Sequence, residues 1–146
     1  MIDLVYKTPR EPLEKPRADI SIATDYDQRY LKMISKFFYK EMTGWNDRSE
    51  ETLNNVLKAG GNIAMFWDPK KMDLVGAVVW SGNDDTWRID HICFKFKFQR
   101  LGYGRLLLDF VVHKIGANAN LMTSLPKEAG AVNFFNKYGF SAQGEV

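Results

Sequence analysis

The hexapeptide Gln99-Arg100-Leu101-Gly102-Tyr103-Gly104 combines residue types suited to holding an anion. Its alternate glycines remove the Cβ atoms that would keep phosphate oxygens away from the backbone, and Gln99, Arg100 and Arg105 supply side-chain donors. The apolar residues that follow, Leu106, Leu107, Phe110 and Val111, fall on one helical face. A turn running directly into such a helix presents unpaired N–H groups at the positive end of the helix dipole, an arrangement that binds phosphate or pyrophosphate. The same six residues also fit an ordinary tight turn, so the neighbouring elements decide between the two.

Before the turn, residues 86–98 are rich in branched and aromatic side chains, and the run is long enough to need a bend or bulge if it is one strand. Phe94-Lys95-Phe96-Lys97-Phe98 reads as an amphipathic strand and lacks the glycines of an RNA-binding strand. Residues 62–67 and 74–80 read as antiparallel strands joined by Asp68-Pro69-Lys70-Lys71. Earlier still, Ile20-Ser21-Ile22-Ala23 alternates as a strand, and two helices follow. The first is capped at Asp25 to Gln28, carries Leu31, Ile34, Phe38 and Met42, and stops at Gly44. The second is capped by Asp47 with Glu50, carries Leu53, Val56 and Leu57, and ends at Gly60-Gly61. After the glycine turn and its helix, Leu121-Met122-Thr123 reads as a short strand, and a last helix carries Ala131, Val132, Phe134, Phe135 and Tyr138. The order β-α-α-β-β-β-α-β-α predicts a mixed α/β domain.

With 146 residues, 45% hydrophobic and 14% aromatic, the chain has the content of one domain with a real core. Pro9, Pro12 and Pro16 lie among charges, so residues 1–17 are expected to form an arm and residues 18–146 the domain. A net charge of +2 argues against a nucleic-acid partner or an anionic membrane surface. Cys93 is the only cysteine, which excludes an intrachain disulfide, and the start of the chain lacks signal-peptide character; both point to the cytoplasm. Cys93 itself reads as core, and His91 and His113 do not make a metal-ligand spacing with it, so no metal is expected.

Taken together, Ile89-Asp90-His91-Ile92-Cys93-Phe94, the turn from Gln99 to Gly104, and Ala131-Val132-Asn133-Phe134-Phe135-Asn136-Lys137-Tyr138-Gly139-Phe140 resemble the GNAT family of N-acyltransferases over roughly residues 19–140. They look like its fourth strand, its coenzyme-A loop and its fourth helix. A dinucleotide-binding unit would instead place its glycine turn after the first strand of a βαβ unit. The resemblance implies a GNAT-like, mostly antiparallel mixed sheet flanked by about four helices. It also implies acetyl-CoA as acyl donor and an amine, on a small molecule or a protein, as acceptor.

Residue by residue, the resemblance assigns the pyrophosphate to Gln99, Arg100, Leu101, Gly102, Tyr103 and Gly104, with Arg105, Lys95 and Lys97 attracting the phosphates. It places Ile92 and Phe94 at a strand bulge, where family members bind pantetheine through main-chain groups between two splayed strands, and a backbone N–H near Phe94 at the oxyanion. Asp90 and His91 are the candidates for proton acceptor; strand alternation would send them to opposite faces, leaving one to serve the amine, with Asp90 preferred. The family's general acid, a tyrosine, is matched here by Phe135, which has no proton to give, so Tyr138, three residues on, is the substitute. Glu128 stands where the family usually has asparagine. Residues 43–47, Trp45, Trp87 and Arg88 would border the acceptor. The alternative function is a coenzyme-binding or protein-interaction module without turnover.

The resemblance also implies two more strands after Gly139-Phe140, where six residues follow, so at least one C-terminal strand is expected to be missing. Ile2-Asp3-Leu4-Val5-Tyr6 alternates as a strand and is expected to fill the gap in its own subunit or, in a homodimer, in a partner's.

Overall fold

In the computed structural model, the described residues are 2–9, 21–23, 28–41, 51–68, 73–95, 103–125 and 131–142. They form a seven-stranded mixed sheet with four helices, the mixed α/β architecture that the element order predicts. In chain order these are β1 (Ile2–Lys7), β2 (Ser21–Ala23), α1 (Gln28–Glu41), α2 (Glu51–Lys58), β3 (Asn62–Asp68), β4 (Asp73–Asn83), β5 (Thr86–Phe94), α3 (Tyr103–Ile115), β6 (Asn120–Leu125), α4 (Ala131–Tyr138) and β7 (Ser141–Ala142). The strands lie in the order β2-β3-β4-β5-β6-β1-β7. Only β5 and β6 run parallel; the remaining pairs are antiparallel.

Two cores follow from the alternation of side chains across the strands. On one face, Leu31, Ile34 and Phe38 of α1 and Leu53 of α2 meet Ile63, Met65, Ala77, Val79 and Cys93. The buried residues of α1 recur at three and four positions, which is the stripe its sequence carries. On the other face, Leu107, Leu108, Phe110 and Val111 of α3 and Phe135 of α4 pack against Phe66, Val78, Trp80, Ile89 and Leu121.

The tight connection from β4 to β5 is made by Asp84 and Asp85, with Asn83 opposite Thr86. Gly82 has φ +147°, and a Cβ there would lie 2.4 Å from the Thr86 carbonyl oxygen, so only glycine fits. Asn120 N–H then donates to the Asp85 carbonyl at 2.7 Å, tying the start of β6 to this turn.

The N-terminal strand is an integral member of the sheet of its own chain. β1 lies between β6 and β7, pairing with β6 from Ile2↔Leu125 to Lys7↔Asn120 and with β7 through Leu4↔Ala142 and Val5↔Ser141. Beyond the last helix the described residues carry the two-residue β7, and β1 occupies the place beside β6. Its end is fastened by Thr8, which donates its N–H to Ala119 O at 2.8 Å and accepts Ala119 N–H on its hydroxyl at 2.7 Å. Leu4 is 1% exposed and belongs to the α3/α4 core, so β1 adds packing as well as ladder bonds. As described, the two edge strands are β2, three residues long, and β7, two residues long.

Leu4→Ala should cost about 2–5 kcal/mol and lower the melting temperature on the order of 10 °C, while deletion of residues 1–7 should prevent cooperative unfolding. Thermal and urea denaturation followed by circular dichroism measure this. A full-stability deletion variant would show that β1 does not hold the sheet.

Candidate functional site

The distinguishing geometry lies where β5 and β6 part. Their parallel ladder has three pairs, Thr86↔Asn120, Trp87↔Leu121 and Arg88↔Met122, and then ends. Beyond it, β5 stays paired with β4 as far as Gly76↔Phe94, and β6 stays paired with β1 through Thr123↔Leu4, Ser124↔Asp3 and Leu125↔Ile2. Each strand is therefore held on its outer side while their inner edges separate. Just past the ladder, the Thr123 hydroxyl donates to the Ile89 carbonyl at 3.5 Å.

A register shift at the vertex sets what faces this opening. Val79 pairs with His91 and Trp80 with Ile89, leaving Asp90 as the extra residue of a β-bulge. The bulge thus sits at Asp90, earlier in β5 than the expected position at Ile92 and Phe94. It also breaks the alternation that would have separated Asp90 from His91. Ile89 and Ile92, three residues apart, both pack toward the α3/α4 core. His91 lies against Phe38 of α1, ring centroids 6.1 Å apart. Asp90 accepts a 2.7 Å hydrogen bond from the Ser81 hydroxyl, and Ser81, next to Trp80, lies by alternation on the α1/α2 face. Asp90 and His91 therefore share that face, contrary to the expectation of opposite ones, because the added residue shifts the pleat by one step.

The electrostatics agree with this proximity. Burial pushes the His91 imidazole below its ordinary value, and the neighbouring Asp90 carboxylate partly opposes that shift by favouring the charged ring. The lowered value favours the neutral imidazole at neutral pH. Cys93, two residues on, is pushed up to about 12, chiefly by burial and then by Glu41, and is an inert core thiol.

The other expected site residues have partners of their own. Tyr138 donates its phenol to Asp109 at 2.6 Å. Burial and then this hydrogen bond hold its proton more tightly than in a free phenol. It packs edge-on to Tyr6, 5.2 Å between centroids, joining α4 to β1 and α3. A phenol so held gives up its proton less readily than a free one. Phe135 is fully buried between Phe134 and Phe140, with centroids at 5.2 and 5.0 Å, and belongs to the core. Trp87 packs with the α3/α4 core and donates its indole N–H to the Asp84 carbonyl at 3.1 Å, so it lines the face opposite Asp90. Arg88 donates to Ser124 Oγ at 2.6 Å, and Ser124 in turn donates to Asp3 at 2.6 Å, a chain across β5, β6 and β1 that sequence reasoning missed. Only the pairing of β1 with β6 brings Asp3 there.

Of the glycine turn, Tyr103 and Gly104 open α3, whereas Gln99, Arg100, Leu101 and Gly102 lie outside the described residues, as do Trp45, Lys97 and Glu128. Arg105 projects from the first turn of α3 with 80% of its side chain exposed, 4.0 Å from Asp109. Lys95 lies with Lys36 and Lys40 beside α1. Gly104 has a packing reason as well as the expected anion-binding one: a Cβ would stand 2.6 Å from the ring of Phe134, so α4 closes directly on the start of α3. Phe94 buries its ring against Phe66, with centroids 6.2 Å apart.

The fold and this geometry define a class: a mixed α/β domain with an open slot between two splayed parallel strands and a helix N-terminus following the first of them. The chain belongs to the GNAT acetyltransferase family, whose domain model matches residues 24–146. A search of curated proteins by sequence found no match. Among solved structures, a conserved protein of unknown function from Staphylococcus epidermidis superposes with TM-score 0.72 at 13% identity over 97% of this chain. The chain spans 57% of that protein's length. AAC(6')-Iy, solved with the bisubstrate analogue CoA-S-monomethyl-acetylneamine, gives TM-score 0.68 at 14% identity, covering 88% of this chain and 95% of its own. A ribosomal-protein alanine N-acetyltransferase from Escherichia coli gives 0.67 at 18% identity, covering 84% and 77%. At these identities the superpositions establish the fold. Among the described residues no helix is long and apolar enough to cross a membrane.

Gly104→Ala should destabilise the protein by about 1–3 kcal/mol through overpacking, and Phe134→Leu in the same chain should recover much of that loss. Urea denaturation of the two single variants and the double variant measures the coupling. An additive pair would separate Gly104 from Phe134.

Proposed function

We propose that the chain is an acetyl-CoA-dependent N-acetyltransferase that passes the acetyl group to an amine by direct attack while donor and acceptor are both bound. The observation that carries this reading is the early end of the β5–β6 ladder at Arg88↔Met122. Past that point both strands present inner-edge N–H and C=O groups that need partners. The amides of a pantetheine arm fit that need, in the manner of a strand added to an edge. In this reading the main chain at Ile92 and Phe94 lines the arm, while residues 99–104 and Arg105 hold the pyrophosphate beside the N-terminus of α3. Membership of the GNAT family supports acetyl-CoA as the donor.

The amine is served from the α1/α2 face. Its nitrogen lone pair attacks the thioester carbonyl while its proton passes to His91, whose imidazolium Asp90 then stabilises; Ser81 holds Asp90 in place. The developing oxyanion is met by backbone N–H groups of β5 beside the slot. The C–S bond breaks with its electron pair on sulfur, giving an amide and a thiolate. A thiol of pKa about 8.5 leaves as thiolate without a dedicated acid, which accommodates Phe135 at the family tyrosine position and the commitment of Tyr138 to Asp109. A second reading, a coenzyme-binding module without turnover, rests on Phe135. One structural neighbour was solved with a CoA-linked small-molecule analogue and another is a ribosomal-protein alanine N-acetyltransferase, and the acceptor in this reading is an amine on a small molecule or a protein.

Acetyl-CoA at about a hundred times its dissociation constant should stabilise the native state by roughly 2.7 kcal/mol, seen as a raised melting temperature, and a panel of amines should release free thiol above the uncatalysed rate. Stabilisation without thiol release from any acceptor selects the non-catalytic module.

With an acceptor whose amine is already neutral, kcat/KM should fall as pH drops through the His91 pKa, below the ordinary 6.5. In Asp90→Asn that acid limb should move to still lower pH, because the charge favouring the imidazolium is gone. Complete loss of turnover at every pH in Asp90→Asn, with His91→Gln active, would assign proton transfer to Asp90 alone.

A further inference from the structure

Away from the slot, α1 carries a second row of residues that meets its buried stripe at Phe37. Met33, Lys36, Phe37 and Lys40 recur at three and four residues, so they form one row along the helix. This row is one wall of an open cavity of about 290 Å³, whose other wall is Trp67, Leu74 and Lys95 from β3, β4 and the end of β5. The floor is apolar and aromatic, and Met33 remains 39% exposed, one of two large apolar side chains so exposed among the described residues. Three ammonium groups ring that floor in a chain whose whole net charge is only +2.

The spacing of the charges selects the occupant. Lys36 and Lys40 stand one helical turn apart, about 6 Å along the axis, and Lys95 rises from the opposite wall. A single-headed amphiphile would place one anion at one end of such a groove, beside one lysine. A polypeptide can distribute several carboxylates on both sides of one apolar anchor. Aromatic and methionine floors with charged rims are also typical of protein contact sites. We propose that this groove docks an acidic polypeptide segment that inserts one bulky apolar side chain between Phe37, Trp67 and Leu74.

The probe is a short fluorescein-labelled peptide of Asp and Glu around a central Leu, with its amino terminus acetylated so that binding is read independently of acyl transfer. Fluorescence anisotropy should show saturable binding that weakens with added salt, as exposed charge pairs do. Binding should fall at least about tenfold, or 1.4 kcal/mol, in Lys36→Glu/Lys40→Glu, in Met33→Asp, and when the peptide Leu is replaced by Ser. Lys7→Glu, on β1, should bind normally. Melting curves check that the variants fold, and Lys36→Gln/Lys40→Gln replaces the charge reversal if it does not. Equal binding of a Lys-for-acid peptide, or unchanged affinity in the groove variants, overturns the proposal. Full displacement of the peptide by sodium octanoate overturns it in favour of a single-headed amphiphile.

Discussion

The parting of β5 and β6 after Arg88↔Met122 is the constraint on which the rest of the structure depends. A parallel pair that opens exposes main-chain donors and acceptors on both inner edges, and neither strand can remain extended unless its outer edge is fully paired. β4 does this for β5 and β1 does it for β6. The turn at Asp84 and Asp85 and the bond from Asn120 N–H to the Asp85 carbonyl close the vertex. The slot is thus a product of strong pairing around it.

Each side of the sheet then has a separate task. The α3/α4 side is a dry aromatic core in which Phe135 is wholly enclosed, and it presses α4 against the opening of α3 so closely that position 104 has no room for a side chain. Tyr6, Tyr138 and Asp109 finish that side by joining β1, α4 and α3 through ring contacts and a hydrogen bond. The α1/α2 side is where polar groups gather near the vertex. One added residue in β5 is enough to place a carboxylate and an imidazole together there, with Ser81 reaching the carboxylate from β4. Beside them Arg88, Ser124 and Asp3 bridge three strands.

The position of β1 links sheet construction to the site. Because it runs antiparallel to β6, its inward residues Leu4 and Tyr6 complete the α3/α4 core while Asp3 arrives on the other face next to Ser124. A strand recruited from the start of the chain therefore does the mechanical work that family resemblance assigns to strands after the last helix.

Much of this was legible in the residues themselves. Leu31, Ile34 and Phe38 fix the buried face of α1 because helical geometry brings residues three and four apart together, and Ile2 to Tyr6 alternate as a strand must. The glycine turn running into an amphipathic helix, beside Ile89 to Phe94 and Ala131 to Phe140, carried the family. What the sequence could not decide was register. A bulge adds no distinctive residue, so period-two reasoning put Asp90 and His91 on opposite faces and the family resemblance put the irregularity at Ile92 and Phe94, whereas pairing with β4 placed the extra residue at Asp90. Partners far apart in the chain were equally hidden: Tyr138 with Asp109, Gly104 with Phe134, and Arg88 with Ser124 and Asp3. Local propensity and periodicity act within a few residues and are written in the sequence; which strand edge meets which, and at what register, is settled only when all the strands compete for partners in one sheet.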